Sequence, residues 1–481
     1  MNPELQRNLW LELSPARLTL MVLVQAVVFG VTALVIGNRG VMANPGIHPD
    51  QVLRSQLVAL DLLGRGLFSL IVILWGSFNA ANAIAGEVRG RTWDLQKLSA
   101  IEPWAMTWGK LLGSTVYQWF GGLLALAPVA LTAWLHPDDA GGPALLVLYP
   151  AVGVATQALA LLLCLVVARR SRASGQFEVL LYALVGWSIA STIFGVYQML
   201  VARPDWLQQV SWMGLSVDGL TFLVASVVLA AALAVFGCWR LMRRELMMPP
   251  EIGGVLLFLS ILALSIGGFF VGTNHLNLPP SGMPWALLAV GCSTLAVATG
   301  VFSGICALAE PKDPVRLRWI ATAWRSGDRA AAVVRAPAFA IGYAVTLGLG
   351  LLAALLAAVT QAIQGPFLNP TPAWPAILAA LGFLARDILI IVCCNASPRQ
   401  RRGDFSALVI LALLYIAGGS LTNLPPLQPL QALFLPLPAA AAWPYPAGPP
   451  LGFLGPWLQA LAVGAVTIAR LRQPAAQPER A

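Results

Sequence analysis

The sequence predicts an all-α, polytopic integral membrane protein: a bundle of about twelve transmembrane helices arranged as two six-helix halves, with both termini in the cytoplasm. Three observations predict it. Of 481 residues, 58% are hydrophobic and 10% charged, and the mean hydropathy is +0.77, outside the range of soluble domains. Twelve apolar runs approach the length of about 20 helical residues that crosses roughly 30 Å of hydrocarbon. Lysines and arginines gather on alternate sides of those runs.

In chain order the runs fall at 17–37, 65–86, 111–134, 144–168, 179–201, 219–239, 252–272, 284–309, 336–363, 373–394, 405–422 and 451–471. They are continuously apolar, as helices require, whereas barrel strands would alternate over about ten residues. The first run is a full span with the flanks of a retained anchor. With the N-terminus inside, 24 of the 29 basic residues lie in cytoplasmic segments. Only Arg39, Arg54 and Arg203 face outward, and Arg65 and Arg386 fall within or near spans. Topology therefore accounts for the net charge of +9, and no nucleic-acid partner is expected. The six cysteines all sit in spans or at their ends, which disfavours a disulfide framework or a thiolate metal site.

The halves echo each other. "GSFNAANAIAGE" at 76–87 closes the second run and "GVFSGICALAE" at 300–310 closes the eighth. Gly76, Phe78, Ala83, Ala85 and Glu87 answer to Gly300, Phe302, Ala307, Ala309 and Glu310. Upstream, Glu12, Leu13 and Pro15 precede the first run much as Glu245, Leu246 and Pro249 precede the seventh. The organisation read from this is an amphipathic cytoplasmic lead-in helix at 1–16, a first half at 17–243, a second half at 244–473 and a tail at 474–481. One chain then supplies both halves of a path, about an axis along the membrane normal. A homodimer is the alternative left open.

The matching loops 87–110 and 310–335 are longer than chain reversal needs. In the first, Trp93, Leu95, Leu98, Ile101, Trp104, Met106 and Trp108 interleave with Arg91, Asp94, Lys97 and Glu102, and Pro103 breaks the run. Such a pattern reads either as interfacial helices with tryptophans at headgroup depth or as a docking platform for another protein.

The stretch "EVRGRTWDLQKLSAIEPWAMTWGKLL" resembles the loop of type-2 ATP-binding-cassette (ABC) permeases, which carries Glu, Gly-Thr, a leucine-rich turn, Ser/Thr-Pro and Gly-Lys-Leu. The matching positions are Glu87, Thr92, Leu95, Leu98, Ser99, Pro103, Gly109, Lys110 and Leu111. Arg91 stands where the family has glycine, and Ser99 is separated from Pro103. The resemblance covers roughly 30 residues. It implies that Glu87 ends the second span, that Thr92 to Pro103 form a coupling helix, and that Trp93, Asp94 and Lys110 count among the loop's docking residues. The partner implied is a cytoplasmic ATP-binding subunit in two copies, and the direction implied is export across a bacterial inner membrane. ATP and Mg would be used by that subunit, with no cofactor held by this chain. The family also places a short external helix or re-entrant element between the fifth and sixth spans of a half. Here those positions are "ARPDWLQQVSWMGL" and the proline-rich external segment 423–450. In loop 310–335, Glu310, Trp319 and Trp324 remain with a basic excess, so an asymmetric contact is expected.

The chain has no G-x-x-x-x-G-K-[ST] phosphate loop, so it is not expected to hydrolyse ATP itself. Asp61 and Arg65, four apart, suit a local ion pair. Arg386 and Asp387 lie inside the tenth run; adjacent helical residues diverge by about 100°, so each is expected to need its own partner. With Asn79 and Asn82 they are the candidate translocation-path residues, against a reading as structural networks or interhelical hydrogen bonds. His48, His136 and His275 come from separate loops without metal-ligand spacing, so no metal is expected. An ion-driven carrier relying on Asp387 is the second functional reading. A membrane-embedded lipid-linked transferase is the third, with only Asp138-Asp139 as an external acidic pair.

Overall fold

The computed structural model describes residues 3–43, 48–98, 101–135, 144–168, 175–202, 209–246, 248, 253–270, 284–310, 312, 314–364, 373–395, 403–420, 434 and 453–472. Segment 423–450 apart from residue 434, tail 474–481, Ser99, His136, Asp138-Asp139 and His275 lie outside them. The described chain is helical except for one two-stranded hairpin.

Helix α1 is Pro3–Glu12 and α2 Pro15–Ala43. A continuous rod follows: α3 Pro49–Phe68, a π-helical turn Ser69–Trp75, and α4 Gly76–Arg89. Short helices α5 Trp93–Lys97 and α6 Pro103–Trp108 lead through a second π-helical turn, Gly109–Gly113, into α7 Val116–Leu135. Then come α8 Ala144–Ala168, α9 Gln176–Ala202, hairpin strands β1 Gln209–Trp212 and β2 Leu215–Asp218, and α10 Gly219–Glu245. The remaining helices are α11 Gly253–Gly267, α12 Pro284–Ala309, α13 Pro314–Arg325, α14 Arg329–Val334, α15 Ala338–Gln364, α16 Ala373–Asn395, α17 Gly403–Ser420 and α18 Leu454–Arg472.

Among the described residues eleven helices are long and apolar enough to cross a membrane, so the chain is a multi-pass membrane protein. In the run expected at 405–422, the apolar stretch of α17 is shorter, Ser406–Gly418. The second span differs most from its expected bounds: its helix begins at Pro49 and runs 41 residues, Pro49–Arg89, about 60 Å at 1.5 Å per residue. Hydropathy marks only the apolar part. Upstream, proline at the first helical position and a polar-apolar alternation continue the helix beyond hydrocarbon length. Between the fifth and sixth spans, the short helix or re-entrant element expected over 202–215 is replaced at 209–218 by the hairpin. Met213 (φ 53) and Gly214 (φ 76) both take the positive φ of a two-residue turn whose twist suits paired strands.

The chain divides into two compact units: Met1–Val210 with Ser216–Pro249, and Ser211–Leu215 with Pro250–Ala481. In each, the fourth membrane-length helix is the most enclosed: α8 in the first, α16 in the second. Each carries a polar hub at the same place, Gln157 following Ala144 by 13 residues as Arg386 follows Ala373. Gln157 donates to the Val72 carbonyl (3.0 Å) within the first π-helical turn, where the widened backbone ladder releases an acceptor. Its own oxygen accepts from Trp119 Nε1 (3.0 Å) and Thr115 Oγ1 (3.2 Å) on the third span or its approach.

Candidate functional site in the loop after the second span

The loop 87–110 folds as a platform clamped at its base. Helix α4 ends in a Schellman-type turn: Thr92 N–H bonds the Glu87 carbonyl (3.0 Å), Arg91 N–H bonds the Val88 carbonyl (3.3 Å), and Arg91 takes φ 57. Arg91 thus occupies the left-handed position where the resembled family places glycine, at about 1 kcal/mol of strain. The turn aims the chain back toward the membrane-length helices, so that Trp93 opens α5 facing inward.

Trp93 is 4% exposed, packed in a cluster with Ile84, Met106, Leu161, Leu165 and Met242 drawn from α4, α6, α8 and α10. Leu95 and Leu98, by contrast, are 69% and 84% exposed, and the Asp94 side chain is open beside them. Lys97 ties α5 to the end of α10 through Glu245 (3.3 Å) and also reaches Asp94 (3.4 Å). Pro103 is buried at the first position of α6, where its missing N–H costs nothing, and its carbonyl accepts from Thr107 (2.7 Å).

At the base, Lys110 is 1% exposed, and its ammonium pairs with the Glu87 carboxylate and, at 2.7 Å, with Glu4. Arg7 adds contacts to Glu4 (3.2 Å) and Glu87 (3.6 Å), and Gln96 donates to Glu87 (2.5 Å). Two carboxylates, an ammonium and a guanidinium therefore share one partly buried network, which a hydrophobic setting tolerates only when charges are paired. Close approach of α1 requires glycine at two points. A Cβ on Gly109 would lie 2.7 Å from Glu4 Cβ and Cγ, and one on Gly113 would lie 2.8 Å from Asn8 Nδ2. Asn8 Nδ2 also donates to the Gly109 carbonyl (3.1 Å).

The loop residues named from sequence thus converge on one feature, divided between an inward anchor (Trp93, Pro103, Glu87, Lys110), an outward face (Asp94, Leu95, Leu98) and the exposed Thr92 in the turn. Sequence reasoning missed Glu4, Arg7 and Asn8. Their signal was Glu4 and Asn8 at four-residue spacing alongside Leu5 and Leu9, polar groups on the packed side of an amphipathic helix. Asn82 accepts from Arg89 at the loop end of α4, and Asn79 is half-buried one turn further in.

Arg386 and Asp387 belong to the second unit. Each was expected to need its own partner; each has one, and they also pair with each other, because the long Arg386 side chain, 1% exposed, folds back so that Nε lies 2.8 Å from Asp387 Oδ1. Tyr415 donates to Asp387 Oδ2 (2.6 Å) and Arg386 Nη1 reaches Gln459 (3.1 Å), linking α16 to α17 and α18. Phe383 and Tyr415 rings lie 4.7 and 5.2 Å from the guanidinium. Asp61 and Arg65 form the expected i,i+4 pair, at 2.7 Å and largely buried. Among the described residues no three His, Cys, Asp or Glu side chains gather as a metal site. No family model, no curated protein and no solved structure matches the chain.

Proposed function

We propose that this chain is the membrane-spanning permease subunit of an ABC transporter working as an exporter. Its loop 87–110 is the cytoplasmic coupling element for a separate ATP-binding subunit. In this reading both termini are cytoplasmic, α17 supplies the eleventh of twelve spans, and the membrane is a bacterial inner membrane. The observation that carries it is the division within α5 and its flank: exposed Leu95, Leu98 and Asp94 on a five-residue helix fixed from beneath by buried Trp93 and the Glu4–Glu87–Lys110 network. Exposed leucines on a clamped element suit the apolar centre of an interface, and the clamp would pass displacement of the platform into the second and third spans.

The test is co-purification of the detergent-solubilised chain with an ATP-hydrolysing subunit, scored by ATPase activity of the isolated complex. Leu95→Asp with Leu98→Asp should cut recovery of that activity at least tenfold, the effect of losing about 1.4 kcal/mol, while the chain's own thermal stability holds. Trp93→Ala is unsuitable as the docking variant, since it removes a buried anchor. Should the wild type bring down no ATPase, the reading fails. An ion-driven carrier then takes precedence, on the observation of a buried Arg386–Asp387 pair in α16, and Asp387→Asn should abolish its transport.

A further inference from the structure

Loop 310–335 handles its basic residues differently from loop 87–110. In the earlier loop both lysines are ion-paired, Lys97 with Asp94 and Glu245 and Lys110 with Glu4 and Glu87. In the later loop six bases stand against three acids. Of those acids, Glu310 accepts from the Ala338 N–H (2.7 Å), Asp328 accepts from the Ala331 N–H (3.1 Å) at the start of α14, and Asp313 lies outside the described residues. Among the described residues Arg325, Arg329 and Arg335 form no ion pair. Two of them lie over indoles instead: Arg335 at 4.1 Å from the Trp319 ring centre and Arg329 at 6.0 Å from that of Trp324. Both rings are exposed, in company with exposed Val315, Val333 and Val334.

The loop is also held at a defined depth. Arg318 Nε donates to the Leu471 carbonyl at the end of α18 (2.6 Å), and Arg316 donates to the carbonyls of Arg335 (2.7 Å) and Ala336 (3.4 Å) just before α15. Glu310, at the end of α12, closes the same base. The segment is thus bonded to the ends of three membrane-length helices, in the layer where hydrocarbon gives way to headgroups. Tryptophan prefers that layer, and uncompensated arginine there is drawn to anionic lipid. A guanidinium with one face on an indole keeps its N–H edge open for a phosphate.

We propose that loop 310–335 is a binding face for anionic phospholipid, with Arg325, Arg329 and Arg335 on headgroup phosphates and Trp319 and Trp324 seated at headgroup depth. It rests on the loop's place at the ends of the spans and stands whether or not the chain is a transporter. An acidic protein surface is the rival occupant, and two features weigh against it: indoles and valines exposed beside the arginines, and anchorage of the loop to the helix ends.

The experiment is hydrogen exchange over residues 314–335 of the full chain in nanodiscs of phosphatidylcholine alone and of phosphatidylcholine mixed with phosphatidylglycerol. Exchange should slow in the mixed membrane, and high salt should reverse the slowing. Combining Arg325→Gln, Arg329→Gln and Arg335→Gln should abolish it, affinity falling about fivefold per arginine. Unchanged exchange in α12 and α15 shows that this variant is folded. The corresponding Arg→Lys variant should keep the lipid response, because a surface potential reads charge. Equal exchange of the wild-type loop in both membranes overturns the proposal. So does protection in pure phosphatidylcholine that comes only with an added acidic protein partner.

Discussion

Glu87 and Glu310 close the second span of each half, and each carboxylate reaches across its loop to the start of the third. Glu87 grips the Lys110 ammonium, a side chain shared with Glu4 of α1. Glu310 grips the backbone N–H of Ala338, the first residue of α15, where unsatisfied amides and the helix dipole welcome an anion. Both loops are cinched at the base, by different means. The first depends on a charge network that recruits a further helix; in the second the carboxylate takes a backbone amide that every helix start offers, and Arg318 ties the loop to α18. The first loop's geometry is therefore contingent on α1, and the second's on backbone acceptors at the end of α18 and just before α15.

The largest effect that could break this comparison is expected from Lys110→Met, which removes the buried cation between two carboxylates, leaves them the half-exposed Arg7 as counter-charge, and should cost about 3 kcal/mol or more. Glu310→Gln keeps an acceptor for Ala338 and should cost about 1.5 kcal/mol. Thermal unfolding of the two variants in detergent should rank them clearly, and equal losses would mean that the bases are alike. The central helices offer a second contrast. Arg386→Leu leaves Asp387 without a counter-charge and with only the Tyr415 hydroxyl, and should cost about 3 kcal/mol or more, whereas Gln157→Leu orphans only neutral groups, at about 1–3 kcal/mol. A larger loss for Gln157→Leu would make the neutral hub the dominant one.

Smaller changes sharpen the comparison at the left-handed turns. Arg91 (φ 57) in the first loop and Gly327 (φ 87) in the second need the same backbone freedom, and only one has glycine. Arg91→Gly should stabilise the chain by up to about 1 kcal/mol and Gly327→Ala destabilise it by a similar amount. Opposite shifts in unfolding temperature are the expected readout, and shifts of one sign would deny the equivalence.

Much of this was legible because apolar length needs no tertiary context: the membrane-length helices, α1 and the Asp61–Arg65 pair follow from local pattern. What sequence could not resolve depends on neighbours far along the chain. Trp93 and Leu95 read alike as apolar groups on one short helix, and only the Schellman turn with the apolar cluster of α4, α8 and α10 sends one inward and the other out. Arg386 and Asp387 diverge at their Cα atoms, yet a side chain as long as arginine can cancel that divergence, which helical angle alone ignores. Helix α3 before the apolar run was hidden by its polar residues, and the hairpin by a turn whose positive φ values fall on Met213 and Gly214.

The rod Pro49–Arg89 couples two places that the bilayer separates. It passes through the π-helical turn Ser69–Trp75, pinned there by Gln157, and ends at the Glu87 clasp. Were a shaft about 60 Å long to tilt by about 10° about its middle, each tip would move about 5 Å. With the pinned turn near its middle as fulcrum, inward movement at Glu87 would appear as outward sweep at Pro49. The second span thus has the build of a lever, with the carbonyl held by Gln157 where its bearing would sit.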